Sequence, residues 1–145
     1  MSTPDRWLTA APLSLDALLA ETEDPAAGAM VCFAGTIRDH NEGSRVLGLA
    51  YEAHPELAPR LIADLELEAM RRFEISRVRI QHRFGALDIG ETAVLVVVRA
   101  AHRGAAFEAA RWAIDETKGR VPIWKRETYA QGDDAWLMGV PLTPR

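Results

Sequence analysis

The chain has 145 residues, 48% hydrophobic and 26% charged, enough for one domain with a full core and no stapling bonds; the expected unit is 1–145, with 1–12 an extended lead-in and 139–145 a tail. A net charge of −4 excludes a whole-molecule polyanion binder, so no nucleic-acid partner is expected, while a local cationic pocket stays open. The one cysteine, Cys32, can form no internal disulfide, and no apolar run approaches the ~18 residues of a membrane span or forms a leader, so cytoplasm without a membrane partner is expected.

Ser14 is placed to cap a helix that carries Leu15, Leu18, Leu19 and Thr22 on one face and stops at Pro25 and Gly28. Residues 29–37 are apolar throughout, which suits a strand covered on both faces. A polar turn over 38–45 and a second strand over 46–53 read as a hairpin with a long polar tip. Pro55 and Pro59 mark a helix start, and Leu57, Leu61, Leu65, Ala69 and Phe73 recur along an amphipathic helix of about four turns. Residues 77–84 alternate Val78, Ile80, His82 and Phe84 with Arg77, Arg79, Gln81 and Arg83, the pattern of a strand with one wet face. After a loop over 85–91, residues 92–100 form the most apolar strand and are expected to be central.

A helix then opens near Gly104, carries Phe107, Ala110, Ile114 and Thr117, and ends near Gly119, because Pro122 forbids a helix interior. Strands over 123–129 and 135–138 flank the turn signal from Gln131 to Asp134. Strand pairs separated by single helices indicate an α+β domain with a mixed, largely antiparallel sheet.

The cations are unevenly chosen. Of the 17 Lys and Arg residues 15 are Arg, and the two lysines, Lys118 and Lys125, both fall in one ten-residue stretch. Arg keeps its proton at any working pH, whereas Lys can lose it when desolvated or crowded by other cations. Pro122 separates the pair, so the two amines converge through a turn and not along a helix face. His102 and Arg103 stand at the start of the helix, where free N–H groups favour an anion, and Arg38 stands at a strand end beside a polar loop. A helix from Gly104 to Lys118 is roughly 21 Å long, so His102 and Arg103 cannot reach the lysines within one chain. If both groups serve one substrate, a homodimer with composite sites is required. There is no Walker pattern, no GxGxxG and no paired metal ligands, so no metal and no cofactor are expected.

Three segments together carry a specific resemblance: Gly35-Thr36-Ile37-Arg38 through Gly43, the HRFGALDIGE loop, and Ala101 through Glu127 with its AHR, its two lysines and its WKRE. Over about Gly28 to Trp136 the chain resembles the catalytic (large) subunit of molybdopterin synthase. The resemblance implies an α/β-hammerhead fold and a sulfurtransferase of molybdenum cofactor biosynthesis. It also implies a homodimer at the centre of a heterotetramer, in which a small ubiquitin-like sulfur-carrier subunit inserts its C-terminal Gly-Gly thiocarboxylate. The implied substrate is cyclic pyranopterin monophosphate, converted to molybdopterin by two sulfur transfers. Lys118 and Lys125 are then the implied catalytic residues, with Arg38, His102, Arg103, Thr36, Ile37, Arg126 and Glu127 binding substrate. The tail after Trp136 is shorter than the family pattern leads one to expect. Residue chemistry alone leaves two other readings open: a lysine Schiff-base lyase or aldolase on a phosphorylated carbonyl compound, and a non-catalytic anion-binding module.

Overall fold

The computed structural model describes residues 4–130 and 134–138. Among the described residues nine strands form two sheets, accompanied by three α-helices and antiparallel except for one short parallel pairing, which is the expected mixed, largely antiparallel α+β arrangement, on two sheets instead of one. The strands are β1 (Leu8–Thr9), β2 (Ala29–Thr36), β3 (His40–Asn41), β4 (Ser44–Ala53), β5 (Arg77–Arg83), β6 (Gly85–Leu87), β7 (Thr92–Ala100), β8 (Ile123–Tyr129) and β9 (Asp134–Met138). The helices are α1 (Leu15–Glu21), α2 (Leu57–Arg72) and α3 (Arg103–Arg120).

The first sheet runs β1-β5-β7-β2, and β7 is central as its composition demands. Val94, Val96 and Val98 face Ile62, Leu65 and the alanines of α2 and α3, while Leu95 and Val97 face Leu18 of α1. Each such fully buried side chain contributes roughly 1.5–3 kcal/mol. Ser14 caps α1 by accepting from the Ala17 N–H at 3.1 Å. At the other end of α1, Arg99 donates to the Leu19 carbonyl at 3.0 Å and to the Thr22 hydroxyl at 3.3 Å.

Several expectations change once the elements are packed. β2 is the sheet edge, so its apolar run is only partly covered and Met30 is exposed. β2 and β4 do not form a hairpin: β2 pairs with β7 in the first sheet and β4 with β8, β6 and β3 in the second. The tight hairpin is β3–β4, turned by Glu42 (φ 50°) and Gly43 (φ 84°), the two positive φ values that match the twist of flanking strands. The loop after β5 contains β6, which pairs with β4, and the lead-in contributes β1.

The polar face of β5 is wet only at Arg77. Arg79, Gln81 and Arg83 are all buried, because the segment 5–10 runs along the β5 edge, with β1 paired to it, and offers backbone carbonyls to them, while Arg79 also meets Glu21 of α1. Phe84 and Phe107, by contrast, are exposed. On α2 the buried stripe is Ala58, Ile62, Leu65 and Ala69, rotated from the leucine series so that Leu57 is exposed. The turn signal between β8 and β9 lies mostly outside the described residues, as does the tail; the two strands it joins pair antiparallel as expected. Among the described residues no helix is long and apolar enough to cross a membrane.

One glycine is required by close approach. A Cβ on Gly28 would stand 2.7 Å from the Ala101 carbonyl oxygen, at the point where β2 enters beside the end of β7. Backbone cannot rotate away as a flexible side chain can. Gly28→Ala is therefore expected to destabilise by about 1–3 kcal/mol, read as a lowered midpoint in thermal unfolding; an unchanged midpoint would refute the clash.

Candidate active site

Helix α3 stops at Arg120, with Val121 extended (φ −83°, ψ 129°) and its N–H on the Thr117 carbonyl at 3.2 Å. Pro122 follows, its carbonyl taking the His54 N–H at 3.1 Å, and β8 begins at Ile123. The chain thus turns back between the two lysines, as the proline break requires. Lys118 comes from the last turn of the helix and Lys125 from the third residue of the strand.

Arg38 reaches the same place by a different route. β2 ends at Thr36, and Ile37 is locked by two backbone bonds, its N–H to the Glu91 carbonyl at 3.0 Å and its carbonyl from the Gly90 N–H at 2.9 Å. The Ile37 side chain is buried among Leu49, Leu87 and Ala93. It anchors the crossing between the sheets, and Arg38 projects just beyond it, exposed.

The electrostatics follow from this convergence. Burial lowers the Lys118 amine below the usual lysine value, and the charges of Lys125 and, more weakly, Arg38 lower it further, against the opposing pull of Asp115. Lys125 is mostly buried and ion-paired with Glu127 Oε1 at 3.1 Å. Glu127 itself is buried; burial works against its charge, but bonds from Tyr129, Lys125 and Asn41 hold its carboxyl below the usual range.

Two residues missed by sequence reasoning stand beside the lysines. His82 is buried on β5, with Nδ1 2.6 Å from the Arg83 carbonyl, and its ring meets Tyr51 edge-on at 4.8 Å. Burial pushes the imidazole down to about 4, the Arg83 bond opposing and the Lys118 charge assisting, so it adds no cation at neutral pH. Tyr51 lies opposite Lys125 in the β4–β8 register; burial and the Glu127 charge push its phenol up to about 12. The alternation of β5 marked His82 as inward-facing, but only tertiary packing brings Tyr51 of the second sheet and Lys118 of α3 to it.

The remaining expected residues divide. Thr36 is exposed at the end of β2. Arg126 alternates with Lys125 and Glu127, so it stands on the other face of β8. His102 and Arg103 are exposed at the start of α3, whose 18 residues span roughly 27 Å, so one chain does not bring them to the lysines. Among the described residues no cluster of three or more His, Cys, Asp or Glu is placed to hold a metal.

The family described as MoaE protein matches residues 8–120. The chain belongs to that family. It is 44% identical over 119 residues to the molybdopterin synthase catalytic subunit of Thermoplasma volcanium, covering 82% of this chain and 87% of the relative. Its fold is similar to that in the crystal structure of molybdopterin synthase from Staphylococcus aureus, with TM-score 0.85, 31% identity and coverage of 94% of this chain and 97% of that one. A more distant likeness of fold, at TM-score 0.70 and 20% identity over 91% of this chain and 88% of the other, is to a chain from the complex of subunits 1 and 2 of molybdopterin-converting factor from Helicobacter pylori. The relatives from Pyrococcus abyssi and Bacillus subtilis, 42% and 38% identical, likewise carry the name molybdopterin synthase catalytic subunit.

Proposed function

We propose that this MoaE-family chain is the catalytic subunit of a molybdopterin synthase. It would transfer two sulfurs from a thiocarboxylated small carrier subunit to cyclic pyranopterin monophosphate. The observation that carries the reading at the level of chemistry is Lys118: a half-buried amine whose proton is loosened by burial and by Lys125, beside the exposed guanidinium of Arg38. Opening a cyclic phosphate develops negative charge that Arg38 can stabilise. Attack by the thiocarboxylate and hydrolysis of the acyl link that follows both require proton movement, which an amine of lowered basicity supplies more readily than an ordinary lysine. Sulfur arrives with the carrier, so Cys32 has no role in the chemistry. Reconstitution with a thiocarboxylated carrier and the cyclic substrate should yield the dithiolene product; no product from a correctly loaded carrier would overturn the reading.

The exposed pair His102 and Arg103 supports a composite site. Roughly 22 Å of helix separates Arg103 from Lys118, so we assign these residues to the site of a second copy of the chain. Lys118→Ala and Arg103→Ala chains, each inactive alone, should complement when co-expressed, because half of the dimers then hold one intact site. Recovery of about a quarter of wild-type turnover is expected, and no recovery would place each site within one chain.

A further inference from the structure

On β8, Lys125, Glu127 and Tyr129 share one face at two-residue spacing. The Tyr129 hydroxyl donates to Glu127 Oε2 at 2.7 Å, and Asn41 Nδ2 donates to the same oxygen at 3.1 Å and approaches the Tyr129 hydroxyl at 3.3 Å. The other carboxylate oxygen, Oε1, faces the Lys125 ammonium at 3.1 Å. Asn41 is 86 residues away in sequence and buried, carried by the β3–β4 hairpin directly after Arg38. That hairpin is closed by the Val46 N–H on the Asp39 carbonyl at 2.7 Å, and fastened to the end of β8 by the Ala130 N–H on the Arg45 carbonyl at 3.0 Å.

We propose that Asn41 and Tyr129 are positioning residues for sulfur transfer: they fix the Glu127 carboxylate, which seats the Lys125 amine beside Lys118 and ties the segment after Arg38 to the lysine pair. The assignment rests on the synthase reading above for its reaction, but the clamp is a property of the chain itself. A carboxylate with one oxygen saturated by two donors cannot rotate without breaking both bonds, so Oε1 has one direction to face. Removing either donor frees that rotation and lets Lys125 follow.

The groups that bear on Glu127 are Lys125 and Tyr129 from β8, Asn41 from β3 and Tyr51 from β4, with Glu42 acting on Tyr129 from the hairpin turn. Loss of the Tyr129 hydroxyl removes a bond to the charged form, so the Glu127 carboxyl should titrate at higher pH in Tyr129→Phe. Dithiolene formation should fall about ten-fold in kcat, with its acid limb moved to higher pH. The isosteric Asn41→Asp, which faces Glu127 with a second carboxylate, should lose more.

The decisive comparison is Tyr129→Phe made on a Lys125→Ala background, where a residue acting through Lys125 should change the remaining rate less than about two-fold. The same ten-fold loss on both backgrounds, or an unchanged Glu127 titration by carboxyl NMR in both Tyr129→Phe and Asn41→Asp, would overturn the clamp. The titration needs no turnover, so a wild-type chain that made no dithiolene would overturn the synthase reading while leaving the clamp to be decided by Glu127.

Discussion

Replacing Lys118 by alanine is expected to lower dithiolene formation by about a thousand-fold, the range of a lost acid–base group, while leaving the fold and its melting cooperativity intact. Lys118→Arg should be nearly as inactive. It keeps the positive charge but cannot exchange a proton near neutral pH, so it separates proton transfer from simple anion binding. Burial and neighbouring cations lower the amine in the folded chain, so the active free base appears at lower pH than for an ordinary lysine, and activity should rise with pH through that lowered value. Removing the nearest cation with Lys125→Ala should raise the Lys118 amine and carry the remaining activity's rising limb to higher pH. An unmoved limb would sever Lys118 from that limb.

The same shift makes a prediction about stability. A lysine whose folded value is lowered costs stability while charged, and the cost is relieved as pH rises through the folded value. Lys118→Met removes the charge and keeps the stem, so it should melt no lower than the wild type at neutral pH despite being inactive. A clear loss of stability would mean that Lys118 serves the fold.

The largest stability effect is expected at Arg79. Its side chain is 4% exposed and pairs with Glu66, 12% exposed, at 3.2 Å; it also bonds Glu21 and the Arg6 carbonyl. Glu66 in turn accepts from the Trp7 indole N–H and the Ile80 N–H, each at 2.8 Å, so the two ion pairs of Arg79 join α1, α2, β5 and the lead-in. Arg79→Ala leaves a buried carboxylate without its cation, a loss of about 3–5 kcal/mol, or roughly 10–15 °C in Tm. Burial already pushes the Glu66 carboxyl up, against the lowering effect of its donors and of Arg79. A carboxyl raised in the fold favours the folded state while protonated and loses that contribution as pH rises through the raised value. Without Arg79 the value climbs further, so the deficit should be widest near neutral pH and narrow on acidification. Adding Glu66→Leu to the variant should restore part of the loss; thermal melts at two pH values check both statements, and a deficit independent of pH would assign the loss to packing.

Much of the fold was legible residue by residue, because capping, proline placement and apolar runs act over a few positions. Ser14, Pro122 and the run of β7 each behave as their local chemistry requires. The errors share one cause. Alternation in β5 identifies two faces but not what covers them, and the covering residues 5–10 lie some seventy positions away. Likewise β2 and β4 are neighbours in sequence yet belong to different sheets, a partition that depends on which distant strands they pair with.

The candidate site divides along the same line. By itself the sequence determined that two rare amines converge through a proline-broken turn, that Arg38 lies just past a strand end, and that His102 and Arg103 lie a helix length away from the lysines. Those statements depend on residue type and backbone geometry within one element. Only the tertiary structure decided that Lys118 is loosened by burial, that Lys125 is seated by Glu127, and that Asn41 and Tyr129 seat Glu127 in turn. These are contacts between β8, the distant β3–β4 hairpin and the end of α3. Desolvation and charge proximity depend on position in space, which no local spacing records.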